Sequence, residues 1–111
     1  MDHLLANLQC MCRYSQMGAS IRLVDTSCDM YAITNGSLVL PKRPAGTIVS
    51  IFCHSERAEG VTLKGLMYPL SNAVLTHHFP LGVSNQHTSE IASITVQSGT
   101  LLIVQHLETT A

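Results

Sequence analysis

Apolar and polar positions alternate in short blocks along most of this chain, and only the first block follows a helical period. From Asp2 to Met17, Leu4, Leu5, Leu8, Met11 and Cys12 recur at three- and four-residue spacing, which predicts a helix that Gly18 stops. Beyond it the period falls to two. Ile21–Asp25 and Met30–Thr34 are β-rich runs on either side of the polar cluster Thr26–Asp29, the pattern of a hairpin. Asn35-Gly36 predicts a tight turn with positive φ, and Ser37–Leu40 a further short strand. Pro41 and Pro44 then interrupt regular pairing.

Thr47–Cys53, with Ser50 as its only interior polar residue, predicts a central strand covered on both faces, and His54–Gly60 a polar loop. Val61–Lys64 alternates up to Gly65, where the glycine points to a bulge or a close backbone approach; the run resumes at Leu66-Met67-Tyr68 and stops at Pro69. Leu70–Leu75 is expected to form one helical turn capped by Ser71 or Asn72. Ile91–Val96 and Thr100–Gln105, joined by Gln97-Ser98-Gly99, predict a terminal hairpin. One helix followed by roughly seven or eight short strands makes the chain mainly β, a β-sandwich or jelly-roll-like domain. The leading helix, with Ile21–Asp25 as the strand after it, has the form of the end of an α/β unit. The loop-rich stretch Gly60–Asn85, flanked by strands, is where function is sought first.

At 111 residues the chain has the length of one domain. Apolar residues make up 46% and charged residues only 12%, against roughly 25% charge in an ordinary soluble domain, so a covered face is expected. The net charge is −1 and the cations are scattered, with no basic stripe for a phosphate backbone; nucleic acid is not an expected partner. No apolar run approaches the ~20 residues of a membrane span. Asp2 and His3 stand where a signal peptide carries positive charge, and a cytoplasmic location is expected.

Cys10, Cys12, Cys28 and Cys53 form no paired motif and read as reduced, small hydrophobes, with Cys10 and Cys12 on different faces of the helix. His77-His78, with His87, is the one pattern suggesting a metal-binding jelly roll. Adjacent histidines project in different directions and no Cys or carboxylate stands at ligand spacing, so loop histidines are the reading preferred over a zinc site. Asp2, by position, is an N-cap favourably placed against the helix dipole.

The run Gly60-Val61-Thr62-Leu63-Lys64-Gly65-Leu66-Met67-Tyr68-Pro69-Leu70, then Leu75 and Gly82-Val83-Ser84-Asn85, resembles the C-terminal thiamin-binding domain of thiamine pyrophosphokinase. Thr47–Phe52 resembles a strand of that domain, Ile91–Gln105 with Gly99 its last two strands, and Asp2–Gln9 the end of the family's G-R-x-D-H-x-L-A-N segment. The resemblance thus covers nearly the whole chain. It implies that residues 1–25 are the end of an α/β nucleotide-binding domain and 26–111 a thiamin-binding β-sandwich domain. The chain would then begin where the nucleotide-binding half ends, as in a truncated reading frame, and be incomplete for catalysis.

The family's reaction moves the diphosphate of ATP onto thiamine, giving thiamine diphosphate and AMP, with Mg²⁺ on the phosphates, in a homodimer whose sites lie between subunits. The resemblance makes Asp2 the catalytic, metal-associated carboxylate and assigns thiamin binding to Ser84 and Asn85. His87 stands where the family often has a large aromatic, with Tyr68 as the alternative stacking ring. The competing expectation, from the low-charge surface, is a non-enzymatic β-sandwich interaction module.

Overall fold

The structure, a computed structural model, describes residues 2–18, 21–24, 27–77 and 84–106, with helical side chains described from Gln9 onward. Helix α1 (Asp2–Gln16) precedes strands β1 (Ile21–Val24), β2 (Cys28–Thr34), β3 (Ser37–Val39), β4 (Ile48–Cys53), β5 (Arg57–Lys64), β6 (Leu70–Thr76), β7 (Asn85–Gln86), β8 (Ser93–Thr95) and β9 (Thr100–His106). They form two antiparallel sheets, ordered β1-β2-β9-β4-β7 and β3-β8-β5-β6. Helix, five-stranded sheet and four-stranded sheet stack as three layers.

Alternation along β2 and β9 builds this stacking. Met30 and Ala32, with Leu102 and Val104, face Met11 and Cys12 of α1. Tyr31, Leu101 and Ile103 point the other way and pack with Val49 and Ile51 of β4 against Val61, Leu63, Leu75 and Ile94 of the second sheet. Fully burying each such aliphatic side chain contributes about 1.5–3 kcal/mol. The helix ends as expected: Gly18 takes φ +95°, and its N–H donates to Ser15 O at 3.0 Å. Cys10 is exposed and Cys12 buried, on different faces of α1.

The β1–β2 hairpin forms with Ile21 opposite Ala32 and Val24 opposite Asp29. Several other expectations are corrected. Leu70–Leu75 is no helical turn but most of β6, paired with β5 through bulges, with Asn72 at φ +50° and its N–H on Thr62 Oγ1. Strand β5 begins at Arg57, inside the expected polar loop. There only Ala58 and Gly60 face inward, too little apolar signal to mark a strand. Strand β4 is central, yet only its inner face is covered: Val49 and Ile51 are buried, whereas Phe52 on the other face is exposed.

The last correction is topological. Strands β8 and β9 do not pair with each other; β8 joins β3 and β5, and β9 lies between β2 and β4. Residues 96–99 therefore carry the chain from one sheet to the other, as Asn35-Gly36 does between β2 and β3. These two corners touch: Asn35 N–H donates to Gly99 O at 3.1 Å, and Gly99 N–H to Asn35 Oδ1 at 2.8 Å. Among the described residues no helix is long and apolar enough to cross a membrane.

Candidate functional site

The turn after β5 and the segment carrying β7 are tied together residue by residue. Gly65, at φ +75°, lets the backbone pass so close to Ile91 that a Cβ built there would stand 2.0 Å from the Ile91 carbonyl oxygen, the close approach the sequence suggested. Thr88 Oγ1 donates to Gly65 O at 2.8 Å, Leu66 and His87 form an isolated bridge, and Met67 N–H donates to Gln86 O at 2.9 Å. Asn85 completes the seam. Its Oδ1 accepts from Tyr68 N–H and Gln86 N–H, both at 2.9 Å, and its Nδ2 donates to Tyr68 O at 2.7 Å. These bonds tie the Met67-Tyr68-Pro69 turn to the β7 segment while leaving its side chains outside, Tyr68 being 61% exposed.

Each residue singled out in the sequence has a distinct position. Ser84 is exposed, at φ +62°, on the N-terminal side of β7. Asn85 is buried, its carboxamide engaged by backbone groups. His87 is buried as well, and its ring belongs to the interior rather than to a stacking surface: Nε2 donates to Gln105 Oε1 at 2.6 Å. Asp2 starts α1, but its side chain lies outside the described residues, as do Gly82, Val83 and His78. His77 is exposed at the end of β6, with Nδ1 3.3 Å from Glu56 O. No group of three or more His, Cys, Asp or Glu side chains gathers among the described residues.

A polar cluster escaped the sequence reading. Asp29 is buried, and its Oδ2 lies 2.7 Å from Arg22 Nη2, 3.5 Å from Arg43 Nη2 and 3.5 Å from the Tyr31 hydroxyl. Arg22 also lies 5.5 Å from the Tyr31 ring centroid, within cation–π range. The hydrogen bond to Asp29 raises the Arg22 pKa, and burial raises that of Tyr31. Asp29 is directly opposite Gln105, Gln105 opposite Val49, and Val49 opposite Asn85, so one row across the sheet runs from the ion cluster to the seam. The polar cluster Thr26–Asp29 reads as a turn in the sequence, whereas the structure starts β2 at Cys28 and sets Asp29 opposite Val24, which brings its carboxylate to Arg22.

A family model described as "Thiamin pyrophosphokinase, vitamin B1 binding domain" matches residues 37–101, from β3 through both halves of the seam to the start of β9. A thiamine pyrophosphokinase of Bacillus subtilis (strain 168) is 26% identical over 104 residues, which are 94% of this chain and 49% of that protein. The crystal structure of thiamine pyrophosphokinase from Bacillus subtilis superposes with a TM-score of 0.85 at 25% identity, over 96% of this chain and 50% of that one. That of thiamin pyrophosphokinase from Geobacillus thermodenitrificans shares the fold, with a TM-score of 0.84 at 23% identity over 98% of this chain and 50% of the other. The chain spans about half the length of these relatives. Matched over more than half of its own length, the chain belongs to the thiamin pyrophosphokinase vitamin B1 binding domain family.

Proposed function

We propose that this chain binds thiamine as the thiamin-binding half of a thiamine diphosphokinase, which moves the diphosphate of ATP onto thiamine and releases AMP. The observation that carries this reading is the seam between residues 65–68 and 85–88: inside the region matched by the family model, it presents an exposed aromatic ring on a turn whose backbone is hydrogen-bonded to Asn85. Thiamine has a flat aminopyrimidine and a cationic thiazolium. The face of the Tyr68 ring suits both, by stacking and by cation–π attraction. The exposed Ser84 hydroxyl can donate and accept toward the pyrimidine edge.

Diphosphoryl transfer depends on positioning and on neutralising phosphate charge, which Mg²⁺ supplies through hard oxygen ligands. Among the described residues no group of three or more His, Cys, Asp or Glu side chains stands together to hold that ion. Mg²⁺, with Asp2 as one ligand, and ATP belong in this proposal to a nucleotide-binding half that completes the site, in a cytoplasmic homodimer.

Isothermal titration of the purified chain with thiamine tests the reading. Saturable heat is the expected result. No binding at millimolar thiamine by a chain whose circular dichroism shows it folded would overturn it.

A further inference from the structure

Resting on the thiamine reading, we infer that Asn85 is a positioning residue that sets the Tyr68 platform and does not itself touch the ligand. A carboxamide has two donor hydrogens and a two-lone-pair acceptor oxygen. In Asn85 both lone pairs are taken, by Tyr68 N–H and Gln86 N–H, and one donor hydrogen goes to Tyr68 O. The side chain is only 2% exposed.

Asn85 thus pairs with Tyr68 as a neighbouring strand would, holding the N–H and C=O of a residue outside any strand. The polar groups of the side chain bear on the Tyr68 backbone, and the ring of that residue stands in solvent. The clamp therefore determines where the ring is without lending the ligand an atom. Loss of the Nδ2 donor alone changes the geometry, because two oxygens would then face each other.

Asn85→Asp is the informative variant. It keeps both accepted bonds, replaces the donated one by carboxylate–carbonyl repulsion, and adds a negative charge that a direct contact with a cationic ligand would welcome. Thiamine affinity is measured by titration calorimetry for the full chain, Asn85→Asp, Tyr68→Ala, Tyr68→Phe and the Asn85→Asp/Tyr68→Ala pair, each with its urea midpoint to confirm folding.

The expected pattern is about tenfold weaker binding in Tyr68→Ala, near-unchanged binding in Tyr68→Phe, and about five- to tenfold weaker binding in Asn85→Asp. On the Tyr68→Ala background, Asn85→Asp should change affinity by less than about twofold, since a residue acting through the ring has nothing left to act on. Equal losses on both backgrounds, or tighter binding in Asn85→Asp, overturn the assignment while leaving the thiamine reading intact. Absence of binding by the folded unsubstituted chain overturns the thiamine reading itself.

Discussion

The His87 ring donates from Nε2 to Gln105 Oε1 across 2.6 Å of buried space, linking the end of the β7 segment to β9. The remaining polar atoms of the pair, His87 Nδ1 and Gln105 Nε2, are buried without a partner among the described residues. Two more buried atoms in the same condition, Asp29 Oδ1 and Arg43 Nε, belong to the adjoining ion cluster.

Removing one side of this pair leaves the other orphaned. Gln105→Leu is expected to lower stability by about 1–3 kcal/mol in urea unfolding. Combining it with His87→Phe should cost less than the sum of the two single changes, because the double variant buries no stranded partner. Additive losses would show that the bond contributes nothing to the fold.

Gly65 should tolerate no side chain. Its positive φ strains any L residue, and the methyl of Gly65→Ala would collide with the backbone of Ile91, which cannot swing aside as a side-chain tip can. A loss of at least about 3 kcal/mol is expected from the melting curve. Gly18→Ala is the control: φ is also positive, at +95°, but nothing lies within 4 Å, so the cost should be only about 1–2 kcal/mol.

Cys12 packs in the apolar layer under α1, where burial pushes its thiol from 9.0 up to about 11. The folded state favours the thiol, so this contribution to stability is complete below pH 9 and disappears as pH rises through about 11. In a thiol-reagent assay at neutral pH the exposed Cys10 should react promptly, whereas Cys12 should react only as fast as the helix opens. Equal rates would show that α1 does not stay docked on the sheet.

Tyr31 lies beneath the Arg22–Asp29 pair, and burial raises its pKa above the usual 10.0, opposed by Arg22 and reinforced by Asp29. Its neutral form is the one the fold favours, so stability tied to Tyr31 should hold below pH 10 and fall as pH rises beyond it. Ultraviolet titration should show one tyrosinate forming late, and Tyr31→Phe should abolish that late step. Asp29→Asn, by taking the charge from two guanidinium groups, is expected to lower stability by about 1–3 kcal/mol, less than a fully enclosed pair would lose because Arg22 is half exposed. A urea midpoint unchanged from that of the parent chain would rule out a stabilising role.

What the sequence determined by itself was local. The α1 period and its Gly18 stop, the β1–β2 hairpin, the Asn35 turn and the close approach at Gly65 each depend on dihedral preferences and side-chain alternation within a few residues. The quoted family motifs were equally legible, because they are strings of neighbours. Which sheet a strand joins is a long-range matter. Ile91–Val96 and Thr100–Gln105 have the period of paired strands, yet the turn between them crosses the sandwich because each edge finds its hydrogen-bond partners elsewhere. The same limit applied at the site. Ser84, Asn85 and His87 are near neighbours in the chain, but only tertiary packing turned the first outward, spent the second on the Tyr68 backbone and sealed the third against Gln105. Asp29 shows why: a polar residue at a strand start looks solvated until arginines from two other segments close over it.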